Sequence, residues 1–211
     1  CALPISEIGQ LKYLKYLYLH TNQFSGPLPP ELGNLAELVF LYLYSNQFSG
    51  SLPAEIGNLN RLQRLYVYDN RLTGNVPSEI ASLEELTALS LYSNELSGLP
   101  DLSTLIALQN LWIQNNRFTF EDIEPNIGVP GTAFVYSPQD SIGERRDTTV
   151  CLDSVFSLSV DVGGTHNEYL WKKDGETLPG ATGPDWLISP VTEADAGTYT
   201  CEITNTVATG L

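Results

Sequence analysis

The sequence has no methionine, only three cysteines and two histidines, and few basic residues: 10 Lys and Arg stand against 25 Asp and Glu. The net charge of −15 repels phosphate backbones and anionic lipids, which argues against binding to nucleic acid or to a charged membrane surface. A membrane-spanning helix needs about 20 consecutive apolar residues, and the sequence has no such run. Its 211 residues suffice for one large domain or two ordinary ones.

Residues for catalysis or metal binding are equally scarce. His20 has no Cys or second His at ligand spacing, and His166 follows two glycines in a turn that we expect to be exposed. The paired Glu84-Glu85 fits a solvated face, and no phosphate-binding loop or nucleophile–base motif occurs. We therefore expect a protein that is not an enzyme and that holds no cofactor or metal.

An internal repeat organises the first half of the chain. Asparagine recurs at intervals of 24, 24, 24 and 22 residues, and the same frame, Leu-x-x-Leu-x-Leu or a close variant, precedes each copy. The five asparagines are Asn22, Asn46, Asn70, Asn94 and Asn116. In a strand, L-x-L places two side chains on one face, and an Asn amide can then bond the backbone of a neighbouring coil. Each unit buries its apolar face only by stacking on the next, so the repeat predicts a solenoid.

Two further segments identify the type of repeat. FSGPLP at residues 24–29 and FSGSLP at 48–53 resemble the SGxIP motif of plant-specific-type leucine-rich repeats, and ELGNL at 31–35 continues that pattern. The resemblance covers residues 3–124. It implies a leucine-rich repeat solenoid with short parallel strands, a second small sheet beside the concave one, and short 3₁₀ or helical turns.

The fourth repeat departs from this pattern. Ser97-Gly98-Leu99-Pro100 lacks one residue before the leucine, and the turn that follows is also shortened. We expect this deletion to disturb the second sheet and to leave the concave sheet regular.

Domain boundaries follow from where the repeat stops. We assign residues 1–124 to the leucine-rich repeat domain, with five recognisable repeats and a partial N-terminal one. Residues 125–131 contain two Pro and two Gly and are predicted to be a linker, and residues 132–211 form a second domain of short alternating segments. A solenoid needs a polar cap over its first coil, and none is visible here, so we expect more protein before Cys1.

The second domain resembles an all-β immunoglobulin-like sandwich. Trp171 matches the core tryptophan of strand C, and Asp195-x-Gly197-x-Tyr199-x-Cys201 matches the tyrosine-corner region of strand F. This resemblance is specific for the fold and weak for any function. A last strand begins near residue 207, and we expect it to be truncated.

The same resemblance suggests a disulfide between the two sheets. Val160 stands where the first cysteine usually lies, and Cys151 comes nine residues earlier. Cys151 and Cys201 therefore either form a displaced disulfide or stay free. Cys1 is the third cysteine. It could form a disulfide with a cysteine of a preceding N-terminal cap, or it could be a lipid-anchored N-terminus.

The repeat frame also shows which side chains point away from the coil on the concave strands. Seven of the 11 tyrosines are among them, and strands about 4.8 Å apart would place like positions in columns where rings stack. Ala88, Ser90 and Asn110 occupy the remaining positions. The candidate ligand-binding residues are Tyr16, Tyr18, His20, Phe40, Tyr42, Tyr44, Arg64, Tyr66, Tyr68, Tyr92, Trp112 and Gln114.

These residues predict a binding surface for a protein or carbohydrate ligand, because Tyr and Trp give large contact areas at low entropic cost. An alternative is that duplication copied an L-Y-L-Y strand whose rings only stabilise neighbouring strands. His20 also fits an ordinary rim residue, and Arg64 fits either a clamp for a carboxylate or a partner of Asp69 or Glu85.

The functional prediction is a monomeric extracellular or cell-surface recognition or adhesion protein. An inhibitor of a secreted glycan-degrading enzyme and a passive surface spacer are the alternatives. The combination of both domains resembles secreted bacterial proteins that join leucine-rich repeats to immunoglobulin-like domains. The absence of any N-x-[ST] sequon among 14 asparagines also favours a bacterial over a plant source.

Overall fold

The computed structural model describes residues 5–140 and 145–209. Cys1, the first residues of the partial repeat and the end of the predicted truncated strand lie outside this part. The strands described are β1 (Tyr16–Tyr18), β2 (Ser25–Gly26), β3 (Phe40–Tyr42), β4 (Gln47–Gly50), β5 (Arg64–Tyr66), β6 (Arg71–Asn75), β7 (Ala88–Ser90), β8 (Glu95–Gly98), β9 (Asn110–Trp112), β10 (Ala133–Val135), β11 (Phe156–Ser159), β12 (Asn167–Lys173), β13 (Glu176–Thr177), β14 (Asp185–Ile188) and β15 (Tyr199–Asn205). Short helices lie at Ile5–Gln10, Pro30–Asn34, Ala54–Asn58, Ser78–Ser82, Glu124–Asn126 and Glu193–Asp195, all of 3₁₀ type, and at α1 (Phe120–Ile123).

The concave sheet is parallel and follows the repeat. Its strand order is β1-β3-β5-β7-β9-β10, so each coil contributes one strand next to that of the preceding coil. The central leucines of neighbouring strands pair in register, as Leu41 does with Leu65 and Leu65 with Leu89, and all three are fully buried. The solenoid predicted from the Leu frame is therefore confirmed.

The last strand of this sheet corrects the predicted domain boundary. β10 pairs in parallel with β9, with Phe134 opposite Leu111, although residues 132–135 were assigned to the second domain. The predicted linker also belongs to the fifth coil, because the buried Asn126 side chain accepts a hydrogen bond from Leu102 N at 2.9 Å. A sixth coil escaped the sequence pattern because Gly131 replaces its first leucine.

A ladder of asparagine amides joins the coils, and it is buried at Asn94 and Asn116. In each internal rung the Asn Nδ2 donates to backbone carbonyls of its own and the preceding coil, and its Oδ1 accepts from a backbone N–H of the preceding coil. For Asn116, the acceptors are Leu91, Ile113 and Gln114 at 3.0–3.4 Å, and Leu96 N donates at 3.0 Å. The sixth coil closes the ladder with Gln139, whose Oε1 accepts from Phe118 N at 3.2 Å.

The residue before each asparagine adopts a left-handed conformation. The five φ angles lie between 52° and 56°, and they belong to Thr21, Ser45, Asp69, Ser93 and Asn115. Non-glycine residues occupy this region rarely, and it produces a sharp change of direction. This conformation redirects the chain after each concave strand, and the asparagine that follows can then bond the backbone of its own coil and of the preceding one.

The second sheet has the order β2-β4-β6-β8 and lies beside the concave one in the repeat. Between β6 and β8 the register shifts at Gly74/Asn75, so that Asn75 pairs with Gly98. The pairing of β7 with β9 remains regular. The deletion in the fourth repeat therefore disturbs the second sheet alone, as predicted.

Close stacking of the coils explains the glycine in the ELGNL turns. A Cβ added to Gly33 would lie 2.3 Å from the backbone oxygen of Glu55 in the next coil, and one added to Gly57 would lie 2.4 Å from the Glu79 Cβ. Such distances do not occur between real atoms, so these turns require glycine. The neighbouring apolar residues Leu32 and Ile56 are fully buried and fill the interior of the solenoid.

The second unit consists of two small antiparallel sheets, β11-β14 and β13-β12-β15. Trp171 is buried, and its Nε1 donates to the Gly183 carbonyl at 2.9 Å. Tyr199 donates its hydroxyl to the Asp195 carbonyl at 2.8 Å, which is the hydrogen bond of a tyrosine corner. These contacts agree with the predicted roles of both residues, while the sandwich itself stays a prediction.

The disulfide does not form in this structure. Cys151 and Cys201 are both free thiols, with Cys151 exposed before β11 and Cys201 partly buried in β15. The physical reason is the displacement noted in the sequence, because Val160 stands where the partner of Cys201 usually lies. Burial raises the pKa of the Cys201 thiol, which disfavours the reactive thiolate.

A polar joint connects the solenoid to the second unit. Glu124, whose side chain is 12% exposed, accepts hydrogen bonds from Thr165 N at 3.0 Å and Thr165 Oγ1 at 2.8 Å, and from the Asn205 amide. Burial alone would raise its pKa, but these hydrogen bonds outweigh it and lower the pKa of Glu124 to about 2. Beside it, Tyr136 Oη donates to the Thr209 carbonyl at 2.7 Å. The carboxylate is therefore held ionised between the two units.

Candidate ligand-binding surface

The candidate residues form one continuous surface, which we call the aromatic strip. It comprises the outward side chains of the concave strands and of the residues just after them: Tyr16, Tyr18, His20, Phe40, Tyr42, Tyr44, Arg64, Tyr66, Tyr68, Tyr92, Trp112 and Gln114. Tyr16 and Tyr18 are 52% and 51% exposed, and the other rings are partly exposed. The structure thus brings all the predicted residues together on one solvent-accessible face, while their role in binding stays a prediction.

Two columns of rings run across the strands. In one, Tyr44 stacks on His20 and Tyr68 at 4.4 Å on each side, and Tyr68 stacks on Tyr92 at 4.3 Å. Interplanar angles in this column are 8–12°. The spacing is close to the distance of about 4.8 Å between neighbouring strands. The predicted stacking is therefore confirmed.

The other column has a gap that a tryptophan bridges. Tyr42 lies between Tyr18 and Tyr66 at 4.8 and 4.7 Å, but the next position is Ser90, which is 2% exposed. Trp112, on the strand after that, contacts Tyr66 edge to face, with centroids 6.4 Å apart and planes at 77°. Trp112 thus contacts Tyr66 across the position of the buried Ser90, so the column of rings continues past the serine.

Arg64 lies at the edge of the strip where the strands begin. Its guanidinium carbon is 4.8 Å from the centroid of the Phe40 ring, and Nη1 donates to Tyr42 Oη at 3.4 Å. Among the described residues it forms no ion pair, so neither Asp69 nor Glu85 pairs with it. The hydrogen bond to Tyr42 is the largest cause that raises the pKa of Arg64, and the side chain is cationic at any physiological pH.

The phenol groups of Tyr66, Tyr68 and Tyr92 remain neutral. Burial among neighbouring rings raises the pKa of Tyr66, Tyr68 and Tyr92 above the ordinary tyrosine value. Nearby phenols add to this effect at Tyr68, and Asp69 adds to it at Tyr92. The strip therefore offers uncharged hydroxyls that can both donate and accept hydrogen bonds.

The stacking decides which part of each ring a ligand can reach. Tyr42, Tyr44 and Tyr68 have a neighbouring ring against both faces, so only their edges and hydroxyls point to solvent. Ring edges carry partial positive charge, and faces carry partial negative charge. Most of the strip is thus suited to hydrogen bonding and edge contacts, and ring faces without a parallel neighbour are found at the column ends and at Tyr66 and Trp112.

Sequence reasoning missed one part of this surface. Val135, in β10, lies next to Trp112 in the register and is 37% exposed. Its strand was assigned to the second domain because the Leu frame is lost there. The periodic position of Gln139, 23 residues after Asn116, was the signal that could have revealed it.

The described residues contain no group of three or more His, Cys, Asp or Glu side chains that could hold a metal ion. In the same residues, no helix is both long and apolar enough to cross a bilayer.

Comparison with known proteins identifies the repeats. The chain matches the leucine-rich repeat region family over residues 1–126. None of the curated proteins matches this chain.

Three solved structures are similar to this chain. The PEPR1–AtPEP1 complex is 35% identical with a TM-score of 0.59, covering 62% of this chain and 19% of that one. A TDR receptor is 42% identical with a TM-score of 0.54, covering 56% and 21%. The Arabidopsis receptor kinase HAESA, in complex with the peptide hormone IDA and the co-receptor SERK1, is 35% identical with a TM-score of 0.51, covering 53% and 19%.

This chain therefore spans about a fifth of the length of each of these proteins. The comparisons give no support for an immunoglobulin-like domain or a bacterial source, and both stay predictions. The family match covers more than half of the chain, and it agrees with the FSGPLP-type segments and with the parallel sheets described above. The chain belongs to the leucine-rich repeat family, and its repeats are of the plant type.

Proposed function

We propose that this protein is an extracellular recognition protein that binds a protein or peptide ligand on the aromatic strip. The observation that carries the proposal is the strip itself, two columns of stacked rings that stay accessible to solvent on the concave face. Large exposed aromatic surfaces are uncommon on soluble proteins and are typical of interaction sites.

The comparisons support a protein or peptide ligand. Two similar structures contain PEPR1 with AtPEP1, and HAESA with a peptide hormone and a co-receptor. These partners are those of PEPR1 and HAESA, and this chain spans only a fifth of each of the two proteins. Binding of a peptide or protein by this chain, and its location outside the cell, are therefore proposals that rest on shared architecture.

The ring geometry favours such a ligand over a glycan. Sugars bind aromatic residues by laying C–H groups on a free ring face, and the faces of Tyr42, Tyr44 and Tyr68 are occupied by neighbouring rings. Ring edges and phenol hydroxyls instead suit the carbonyls and amides of a polypeptide. An enzyme inhibited by this protein would be one such protein ligand.

We also propose that the second unit is an immunoglobulin-like sandwich that serves as a rigid spacer. The buried Trp171 and the Tyr199 hydrogen bond support this proposal. An experimental structure in which the sheets β11-β14 and β13-β12-β15 do not share a core would contradict it.

The test compares two variants in binding to a displayed library of random peptides and to a glycan array. The first combines Tyr42→Ser, Tyr66→Ser and Tyr68→Ser, and the matched control is Tyr13→Ser, a tyrosine 90% exposed outside the strip. We expect the wild type and the control to enrich the same peptides and the triple variant to lose them, with no glycan signal. Peptides that bind the triple variant as well, or glycans that require the tyrosines, would contradict the proposal.

A further inference from the structure

Trp112 differs from the tyrosines of the strip in the orientation of its ring. In the described part of the chain it pairs with one ring, Tyr66, and it meets that ring at 77° where the tyrosine columns stack within 24°. It lies beside the buried Ser90 and has Val135 as its neighbour on the next strand. Its indole N–H donates no hydrogen bond to the described residues. Trp112 therefore ends its column of rings and is not sandwiched between parallel rings.

The strip already holds one guanidinium group, that of Arg64. This group lies over Phe40 at 4.8 Å and donates to the Tyr42 hydroxyl. The arrangement combines a cation against an aromatic face with a phenol as hydrogen-bond acceptor. It shows within one molecule the contacts that an arginine of a ligand could repeat at another ring.

The charge of the whole protein points to a cationic partner. The net charge is −15, and an excess of this size attracts basic molecules and raises their rate of association. Local charge near the strip is mixed, since Arg64 lies on it and Asp69 lies at its other edge, where it interacts with Tyr92. Arg64 is on a strand two positions before that of Trp112 and is engaged by Phe40, so it only weakens the attraction at Trp112.

We propose that the ligand is a basic polypeptide segment and that Trp112 binds the guanidinium of one of its arginines by a cation–π contact. This inference rests on the proposed function and names the chemistry of its ligand. Tryptophan is the side chain best suited to this contact, and arginine, being planar and weakly hydrated, stacks on aromatic rings better than lysine does. Hydroxyls of the neighbouring tyrosines accept the remaining N–H groups, as Tyr42 does for Arg64.

The experiment uses the whole chain and an amidated peptide of alternating arginine and glycine. Its control is the same peptide with citrulline in place of arginine, which keeps the shape and removes the charge. Titration is followed by calorimetry and by the NMR signal of the Trp112 indole N–H, with the buried Trp171 indole as an internal reference. We expect the arginine peptide to shift the Trp112 signal alone, and Trp112→Leu to weaken binding by about fivefold to tenfold.

Further measurements distinguish a failure of this inference from a failure of the proposed function. Arg64→Leu frees Phe40 and Tyr42 and removes a like charge, so we expect it to tighten binding of the arginine peptide by about threefold. Equal binding of the citrulline peptide, an unmoved Trp112 signal, or weaker binding by Arg64→Leu would each overturn the inference. If library peptides lacking arginine still require Tyr42, Tyr66 and Tyr68, this inference fails and the proposed function stands. If no peptide requires them, the proposed function fails with it.

Discussion

The solenoid and the second unit bury apolar side chains in different ways. In the solenoid, each coil of about 24 residues contributes several completely buried leucines, such as Leu38, Leu41 and Leu43, because the coils on either side cover them. In the second unit, two small sheets bury little more than Trp171 and Ile188. Repetition lets a short sequence pattern build a long core, whereas the second unit depends on a few contacts between distant residues.

The largest expected effect tests this difference in the cores. Leu65 is enclosed by neighbouring coils, so Leu65→Ala leaves a cavity that solvent cannot fill. We therefore expect a loss of about 4 kcal/mol in the free energy of unfolding. Ile188→Ala, at a site closer to the surface, should cost about 2 kcal/mol. Urea unfolding measured by circular dichroism gives both values.

Tryptophan fluorescence, measured in variants that keep the tryptophans of one region only, shows which region each substitution affects, since Trp112 reports on the solenoid and Trp171 and Trp186 report on the second unit. Equal losses for the two variants would mean that stacking of coils gives the leucine core no advantage over the smaller core.

The amide ladder is the second point of comparison, because the second unit has no periodic equivalent. Asn116→Ala removes the side-chain acceptor of the Leu96 N–H and one of the two amide donors to each of the Leu91 and Ile113 carbonyls, and we expect a loss of about 3 kcal/mol. Asn22→Ala, at the exposed first rung, should cost less than about 1 kcal/mol, because water replaces its amide. Similar losses at both positions would show that burial does not determine the strength of a rung.

The sequence predicted the repetitive region well because each of its features recurs. The Leu frame placed five concave strands, and the deletion before Leu99 located the irregularity of the second sheet. The sixth coil was missed because Gly131, Phe134 and Gln139 keep the spacing of the frame with other residue types. Periodicity fixes geometry, while the identity of each residue can change wherever its contacts are still made.

The strip was predictable in position and only partly in geometry. Alternation along the strands placed its rings on one face, and strand spacing implied stacking. The orientation of Trp112 was not predictable, because it depends on the small Ser90 between two larger neighbours. The joint at Glu124 was also missed, since it joins residues about 40 and 80 positions apart and has no local signal.

The last comparison concerns that joint and tests whether the two regions unfold together. Glu124→Gln keeps the shape of the side chain but removes the charge that accepts hydrogen bonds from Thr165 and Asn205. Hydrogen bonds to a charged group contribute about 2 kcal/mol, so we expect a loss near that value at neutral pH. In the wild type, the fluorescence transitions of the two regions should coincide, and in the variant the second unit should unfold first.

The pH dependence identifies the carboxylate as the cause. The folded pKa of Glu124, about 2, is below the value of about 4.3 in an unfolded chain. Its stabilising effect is therefore complete above the unfolded pKa and is lost as the pH falls through that value towards the folded pKa. Wild type and Glu124→Gln should differ at neutral pH and converge as the pH falls below the unfolded pKa of Glu124. If the difference between them stays constant as the pH falls, the joint does not depend on the charge, and the two regions are held together by the packing of Ala208 and Ile203 against the solenoid core.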